Sequence, residues 1–199
     1  MTPVRRDSET AARILDVAER LVQERGFNGF SYADVSAELN ITKAALHYHF
    51  PGKAELGVAL MTRYAARFAD ALADVESRVV DAPNRLDSYA DLYLDVLRKE
   101  RMCLCGMLAA EYQTLPPPMR DTVLRFFDQN ETWLTRVLEQ GRTDGDLQFA
   151  GPPRDTARMI VGALEGALLV ARPFGDVTRF QVAAGQLLES LRRVPPEPV

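Results

Sequence analysis

Apolar positions recur along this chain every third or fourth residue, and no run alternates apolar with polar side chains as a half-buried strand would. Ala11, Ile14, Leu15, Ala18, Leu21 and Val22 form one stripe, which predicts an amphipathic first helix. Ser8 or Thr10 is placed to cap its start. Gly26 is placed to end it in a left-handed turn, with Phe27 folding back on the last turn. A short second helix is expected from Ser31 to about Leu39, with Val35 and Leu39 inward. Asn40 falls where the chain must turn sharply, and after glycine asparagine best tolerates the left-handed region. Ile41 plugs that turn, Thr42 caps a third helix, and Pro51-Gly52 ends it after Phe50.

From Lys53 to about Val79 a long helix is predicted, with Leu56, Leu60, Tyr64, Phe68 and Leu72 mostly four apart. Asp81-Ala82-Pro83-Asn84 is read as a break, followed by helical segments at 84–99, 103–114 and 117–143. Pro116-Pro117-Pro118 separates the last two, and a glycine-rich stretch, 141–151, closes the third. Pro152-Pro153 opens a strongly apolar helix to about Arg172, Pro173 to Asp176 makes a corner, and a final helix runs to about Arg193. The Pro-rich tail, 194–199, is expected to fray. The pattern gives nine helices and an all-α fold.

Composition fits a globular protein, with 47% apolar and 26% charged residues. No apolar run approaches the roughly 18–20 residues that span a bilayer, so no membrane is expected. The first residues, Met1 to Ser8, lack the apolar core of a signal peptide, and a cytoplasmic location is expected. Cys103 and Cys105 lie two apart on a predicted helix, about 200° around its axis, too splayed for a disulfide. Two buried, reduced thiols follow, in keeping with a cytoplasm.

Net charge is −4, which by itself does not point to nucleic acid. Residues 1–56 hold seven Lys or Arg against eight Asp or Glu. The distribution changes that picture. Between Glu38 and Glu55 there is no acid, yet this stretch holds Lys43, Lys53 and both of the chain's histidines. DNA binding needs a local positive face, not a basic protein.

The 20 residues from Ser31 to Phe50 read as helix, tight turn, helix, the size of a helix-turn-helix. Leu46 and Phe50, four apart, anchor the second helix, while Ala44 and Tyr48 point the other way with His47 nearby. Small residues let such a helix enter the major groove, and Tyr and His offer hydrogen bonds to phosphates or bases. A short connecting helix with an exposed aromatic is the other reading of the pattern.

Residues 10–60 resemble the N-terminal domain of the TetR family of bacterial repressors. The resemblance rests on Ile14-Leu15-Asp16-Val17-Ala18, on Arg25-Gly26-Phe27, on the turn from Val35 to Ile41, and above all on the block from Lys43 to Lys53. It implies that Lys43, Ala44, Ala45 and Tyr48 lie at the bases, with Thr42 also among the DNA-binding residues. It further implies that His47, His49 and Lys53 hold phosphates, as do Ser31 and Tyr32. The family usually has Tyr where His47 stands, so a phosphate contact there becomes pH-dependent.

The resemblance implies a three-helix DNA-binding domain over 1–52 and a helical ligand-binding and dimerisation domain over 53–199. It places a ligand pocket within 53–143, and a homodimer made by the last two helices as a four-helix bundle. The residues give the dimer separate support. The helix over 154–172 is apolar nearly all round, and Gly162 and Gly166, one turn apart, suit close backbone packing. Burial inside a monomer is the other reading of that helix. Gly162, Ala163, Gly166, Ala167, Val170, Leu187 and Leu191 are the expected interface. A dimer sets two reading helices about one turn of DNA apart, matching a palindromic operator.

Met61, Tyr64, Phe68, Tyr93, Cys103, Met107, Tyr112, Phe126, Phe127, Trp133 and Met159 are the candidate pocket residues, suited to an apolar or flat effector of unknown identity. The plainer reading is that most of them are ordinary core. Glu111 and Tyr112 are candidates for polar contacts. Because some TetR relatives respond to electrophiles through a cysteine, Cys103 and Cys105 also invite a sensor-thiol reading. No Lys or His follows within a turn to lower a thiol pKa.

The resemblance implies that an effector tilts the helix beginning at Lys53 and so changes the spacing of the two DNA-reading heads. An enzyme is not expected. With histidines only at 47 and 49 there is no three-His zinc site and no Glu-x-x-His pair, and neither Gly-x-Ser-x-Gly nor a phosphate-cradling loop occurs. No metal or cofactor is therefore expected. A small-molecule binding protein that has lost DNA recognition remains as a rival.

Overall fold

A computed structural model describes residues 3–193 and holds nine α-helices. These are α1 (Pro3–Arg25), α2 (Tyr32–Leu39), α3 (Lys43–His49), α4 (Lys53–Arg78), α5 (Ala82–Leu97), α6 (Leu104–Ala110), α7 (Pro117–Asp144), α8 (Pro153–Ala171) and α9 (Val177–Glu189). Short 3-10 turns cover Tyr112–Thr114 and Arg172–Phe174. No strand forms among the described residues, and one isolated bridge pairs Leu147 with Arg192. The all-α expectation holds. The fraying expected of 194–199 lies outside the described residues.

Element ends depart from the periodicity in four places. Helix α1 begins at Pro3, so Ser8 and Thr10 sit inside it and do not cap it. The break expected at 81–84 is a helix start: Asp81 caps α5 by accepting the Asn84 N–H, with Pro83 in the first turn, where a missing N–H costs nothing. The segment 103–114 is one short helix and a 3-10 turn, divided at Glu111. Helix α9 stops at Glu189, and Leu191 lies in the turn just before the bridge at Arg192, its carbonyl accepting the Gln148 N–H.

The described chain divides into two compact units. One comprises residues up to Arg67 with Arg101–Arg125, the other Phe68–Glu100 with the residues from Phe126 onward. Packing thus groups residues 53–67 and 101–125 with the N-terminal helices, across the Lys53 division drawn from the sequence. The first unit closes over Ile14, Leu21, Val35, Leu46, Leu60 and Leu104, each 2% exposed or less. Arg63 and Arg67 of α4 hold Asp16 and Glu19 of α1 across that packing. In the second unit α8 packs on α9, and both meet α5, burying Tyr89, Ile160, Leu164, Leu168 and Phe180.

Candidate nucleic-acid interface

The first two helices of the head are fixed by local chemistry. Helix α1 ends at Gly26, whose φ of 84° lies in the left-handed region. Helix α2 starts in a reciprocal cap: the Ser31 hydroxyl accepts the Asp34 N–H, and the Asp34 carboxylate accepts the Ser31 N–H at 2.6 Å. Those bonds to Ser31 hold the Asp34 carboxyl below its ordinary range. Asn40 then takes φ 52° and ψ 46°, the left-handed turn expected of it, and the Ile41 N–H returns to the Ser36 carbonyl.

Thr42 caps α3, its hydroxyl accepting the Ala45 N–H at 3.1 Å. Helix α3 has seven residues and one fully buried side chain, Leu46. Phe50 closes its end at 8% exposure. The opposite side stands free: Thr42, Lys43, Ala44, His47 and Tyr48 are exposed, Tyr48 by 72%. Ala45 and His49 lie half-buried at its margins. One face therefore gathers the residues expected at the bases.

The residues expected at phosphates divide. The His47 ring packs on the Tyr32 ring at 4.8 Å, and its Nδ1 lies 2.9 Å from the Pro51 carbonyl oxygen. A carbonyl only accepts, so Nδ1 carries the hydrogen and Nε2 is left for other partners. Tyr32 turns inward: its hydroxyl donates to the Phe50 carbonyl at 2.9 Å, and burial, with Glu55 nearby, pushes its phenol up to about 12.

Lys53 likewise departs from expectation. Its ammonium donates to the Phe30 carbonyl and lies 4.7 Å from the Phe27 ring centre and 4.4 Å from that of Phe30. Burial pulls its pKa below lysine's ordinary value, against the fields of Glu111 and Asp34. An ammonium so engaged holds the protein's own turn before it holds a phosphate.

The candidate pocket residues fall into the two units. In the first, Met61, Tyr64 and Cys103 are buried, with the Tyr64 hydroxyl 3.8 Å from the Cys103 sulfur, and Met107 is half-buried. Cys103 and Cys105 are both buried and form no disulfide, as expected. Tyr112 is half-buried, its ring 5.7 Å from the Arg120 guanidinium. Glu111 departs from its expected role as a ligand contact, because its carboxylate accepts backbone N–H groups at the end of α1.

In the second unit Phe68 meets Tyr89, Tyr93 and Phe126 edge-on, Phe127 meets Phe126, and Tyr89 stacks on Trp133 at 5.7 Å. The Tyr89 hydroxyl donates to Asn130, which is also buried. Sequence reasoning missed both Tyr89 and Asn130. The spacing of Tyr89 four before Tyr93 was the available signal for the first. The Trp133 indole N–H is buried without a hydrogen-bond partner. A groove of about 340 Å³ beside it is lined by Ala69, Leu72, Ala73, Glu76 and Gln129. Met159 does not belong with these residues: it stands 46% exposed on the outer side of α8.

That outer side continues through Gly162, Ala163, Gly166 and Val170, all exposed, with Ala167 half-buried at its edge. A Cβ built on Gly162 or Gly166 meets nothing within 4 Å. Leu169 and Val182 are 60% and 59% exposed, and Leu187 is half-buried. Leu191, expected at an interface, is only 4% exposed because the turn after α9 folds against its own chain. Helix α8 is thus covered on the side of Ile160, Leu164 and Leu168 and bare on the other.

A capped helix, a left-handed asparagine turn and a short helix with one bare face define a helix-turn-helix protein on an all-helical frame. Residues 14–60 match the family model described as bacterial regulatory proteins, tetR family, and residues 82–187 match a tetracyclin repressor-like C-terminal domain. The chain belongs to the TetR family of transcriptional regulators. A TetR-family regulator from Agrobacterium tumefaciens superposes with a TM-score of 0.91 at 31% identity, over 94% of this chain and 100% of that one. One from Legionella pneumophila gives 0.81 at 32%, over 90% and 96%. The transcriptional repressor NemR of Escherichia coli K12 is 25% identical over 83% of this chain and 85% of its own length. No described helix is long and apolar enough to cross a membrane.

Proposed function

We propose that this regulator is a ligand-responsive repressor that binds a palindromic operator as a homodimer in the cytoplasm, and that it is not an enzyme. The observation that carries the reading is the bare, acid-free face of α3: Thr42, Lys43, Ala44 and Tyr48 enter the major groove, with Ala45 at the edge. His47, His49 and Ser31 stand beside it for phosphates. Residues 1–52 read DNA, and 53–199 sense and dimerise.

The uncovered side of α8, where Gly162 and Gly166 leave room for another backbone, supports pairing with a second copy. Met159, Leu169 and Val182 join that interface, and Leu191 leaves it. The aromatic and Met side chains of the sensing part, Met61, Tyr64, Phe68, Tyr93, Met107, Phe127 and Trp133, favour a flat or apolar effector. Effector and operator binding are then reciprocally coupled.

The test is a gel-shift on the DNA upstream of the protein's own coding sequence, run at two salt concentrations, beside analytical ultracentrifugation. Specific, salt-sensitive retardation by a dimer supports the reading. A monomer at micromolar concentration, or equal affinity for unrelated DNA, removes it.

A further inference from the structure

We infer that Glu111 is a positioning residue for the recognition helix α3: its carboxylate ties the end of α6 to the turn after α1, and specific operator affinity depends on that tie although Glu111 touches no DNA. The inference rests on the DNA-binding reading above. It lies wholly within the first compact unit.

The tie starts from the backbone. Gly26 turns the chain into the left-handed region at φ 84°, and the next two N–H groups, of Phe27 and Asn28, converge on one place, a nest for an anion. The anion there is a side chain from far along the sequence. One Glu111 carboxylate oxygen accepts the Phe27 N–H at 2.6 Å, and the other accepts the Asn28 N–H at 3.2 Å. A Cβ on Gly26 would stand 2.7 Å from that second oxygen. Glycine is thus needed twice, for its φ and for the carboxylate's approach.

A second strand reinforces the first. The Asn28 side-chain amide donates to the Thr114 hydroxyl at 2.7 Å, and that hydroxyl donates to the Glu111 carbonyl at 2.8 Å. A carboxylate beside a helix C-terminus opposes the helix dipole, so the arrangement makes little sense as a device for stabilising α1. It makes sense as a joint.

From the joint, bonded contacts lead to α3. The negative field of Glu111 favours the charged form of Lys53, whose ammonium lies over the Phe27 and Phe30 rings and bonds the Phe30 carbonyl. The next residue, Ser31, caps α2. The Tyr32 hydroxyl then holds the Phe50 carbonyl, at the C-cap of α3. Loss of the carboxylate frees the Phe27–Phe30 turn, and with it the setting of α2 and α3. Bases are read by side chains that must arrive within a fraction of an ångström, whereas phosphates are held by charge over longer range. Specific binding should therefore suffer and non-specific binding should not.

The experiment compares full-length Glu111→Ala, Glu111→Gln and Thr114→Val with wild type, by fluorescence anisotropy on the operator and on scrambled DNA. Urea denaturation of each variant is measured alongside. For Glu111→Ala, operator affinity is expected to fall at least tenfold while scrambled-DNA affinity and the salt slope stay within twofold. Glu111→Gln, whose amide oxygen still accepts an N–H, is expected to recover part of the loss. Thr114→Val, which removes only the outer strand on an exposed turn, is expected to lose about twofold to threefold. A merely structural role would lower both affinities together or neither. If Glu111→Ala is folded and binds operator like wild type, the inference is overturned. If Glu111→Ala does not fold, an unchanged specific-to-scrambled ratio in Thr114→Val overturns it and a reduced one supports it. Wild type that prefers no DNA at all overturns the regulator reading, and this inference with it.

Discussion

Replacing Lys53 separates a structural ammonium from a phosphate contact. Lys53→Met keeps the apolar stem and removes the charge. What is lost is a charge-assisted bond to the Phe30 carbonyl, about 1.5–3 kcal/mol, and two ring contacts of about 0.5–1 kcal/mol each. What is regained is the desolvation that pulls the lysine pKa down. The balance is a destabilisation of about 2 kcal/mol, read as a lower urea midpoint at constant m. Operator binding followed from about 50 to 200 mM salt should keep its slope, because no phosphate partner is lost.

The alkaline limb adds a signed check on Lys53. A base whose folded pKa is depressed is protonated more in the unfolded chain, so wild-type stability rises with pH through the window just below lysine's ordinary value. Lys53→Met should lack that rise. A salt slope reduced by about 0.9, with the urea midpoint unchanged, would refute the inward role and restore the phosphate contact.

Three other outcomes follow from the same geometry. Tyr32 has its pKa raised to about 12, so its contribution is whole below the ordinary tyrosine value and lost as pH climbs toward 12; Tyr32→Phe should flatten that fall in a denaturation series. Tyr48, 72% exposed and edge-on to the His49 ring, should leave stability within about 0.5 kcal/mol when changed to Ala, while operator selection shows a relaxed base preference. Gly166→Leu meets open space inside its own chain and replaces a poor helix former, so the isolated protomer should gain up to about 1 kcal/mol while sedimentation shows a weakened dimer; an undisturbed dimer would move the interface elsewhere.

Local chemistry made the head legible. The glycine and asparagine turns, the Ser31 and Thr42 caps and the Leu46–Phe50 stripe each depend on neighbours within four residues, and each stands where periodicity and capping place it. The departures from expectation have a common cause. Glu111, Tyr32 and Lys53 carry polar ends whose partners are backbone groups 18 to 84 residues away in sequence. No local pattern announces such a partner, and a polar residue near a DNA-reading helix looks like a DNA contact. Met159 and Leu191 depart for a different reason. Period alone does not say which side of an apolar helix its own chain covers, and the turn after α9, followed by the Leu147–Arg192 bridge, put Leu191 inside.

The same distinction bears on how a domain with more acids than bases can read DNA. Arg20, Arg63 and Arg67 are engaged with Glu24, Glu38, Asp16 and Glu19 on the protein's own surface, and Lys53 with its own turn. In the stretch from Ser31 to Lys53 this leaves Lys43 as the exposed cation at the reading face, beside hydroxyl, imidazole and phenol groups. Hydrogen-bond geometry must then supply much of what charge supplies in a basic head. Affinity for arbitrary DNA should be low, and discrimination correspondingly sensitive to where α3 is held. A head of this kind gains more from rigid internal ties than from further surface lysines.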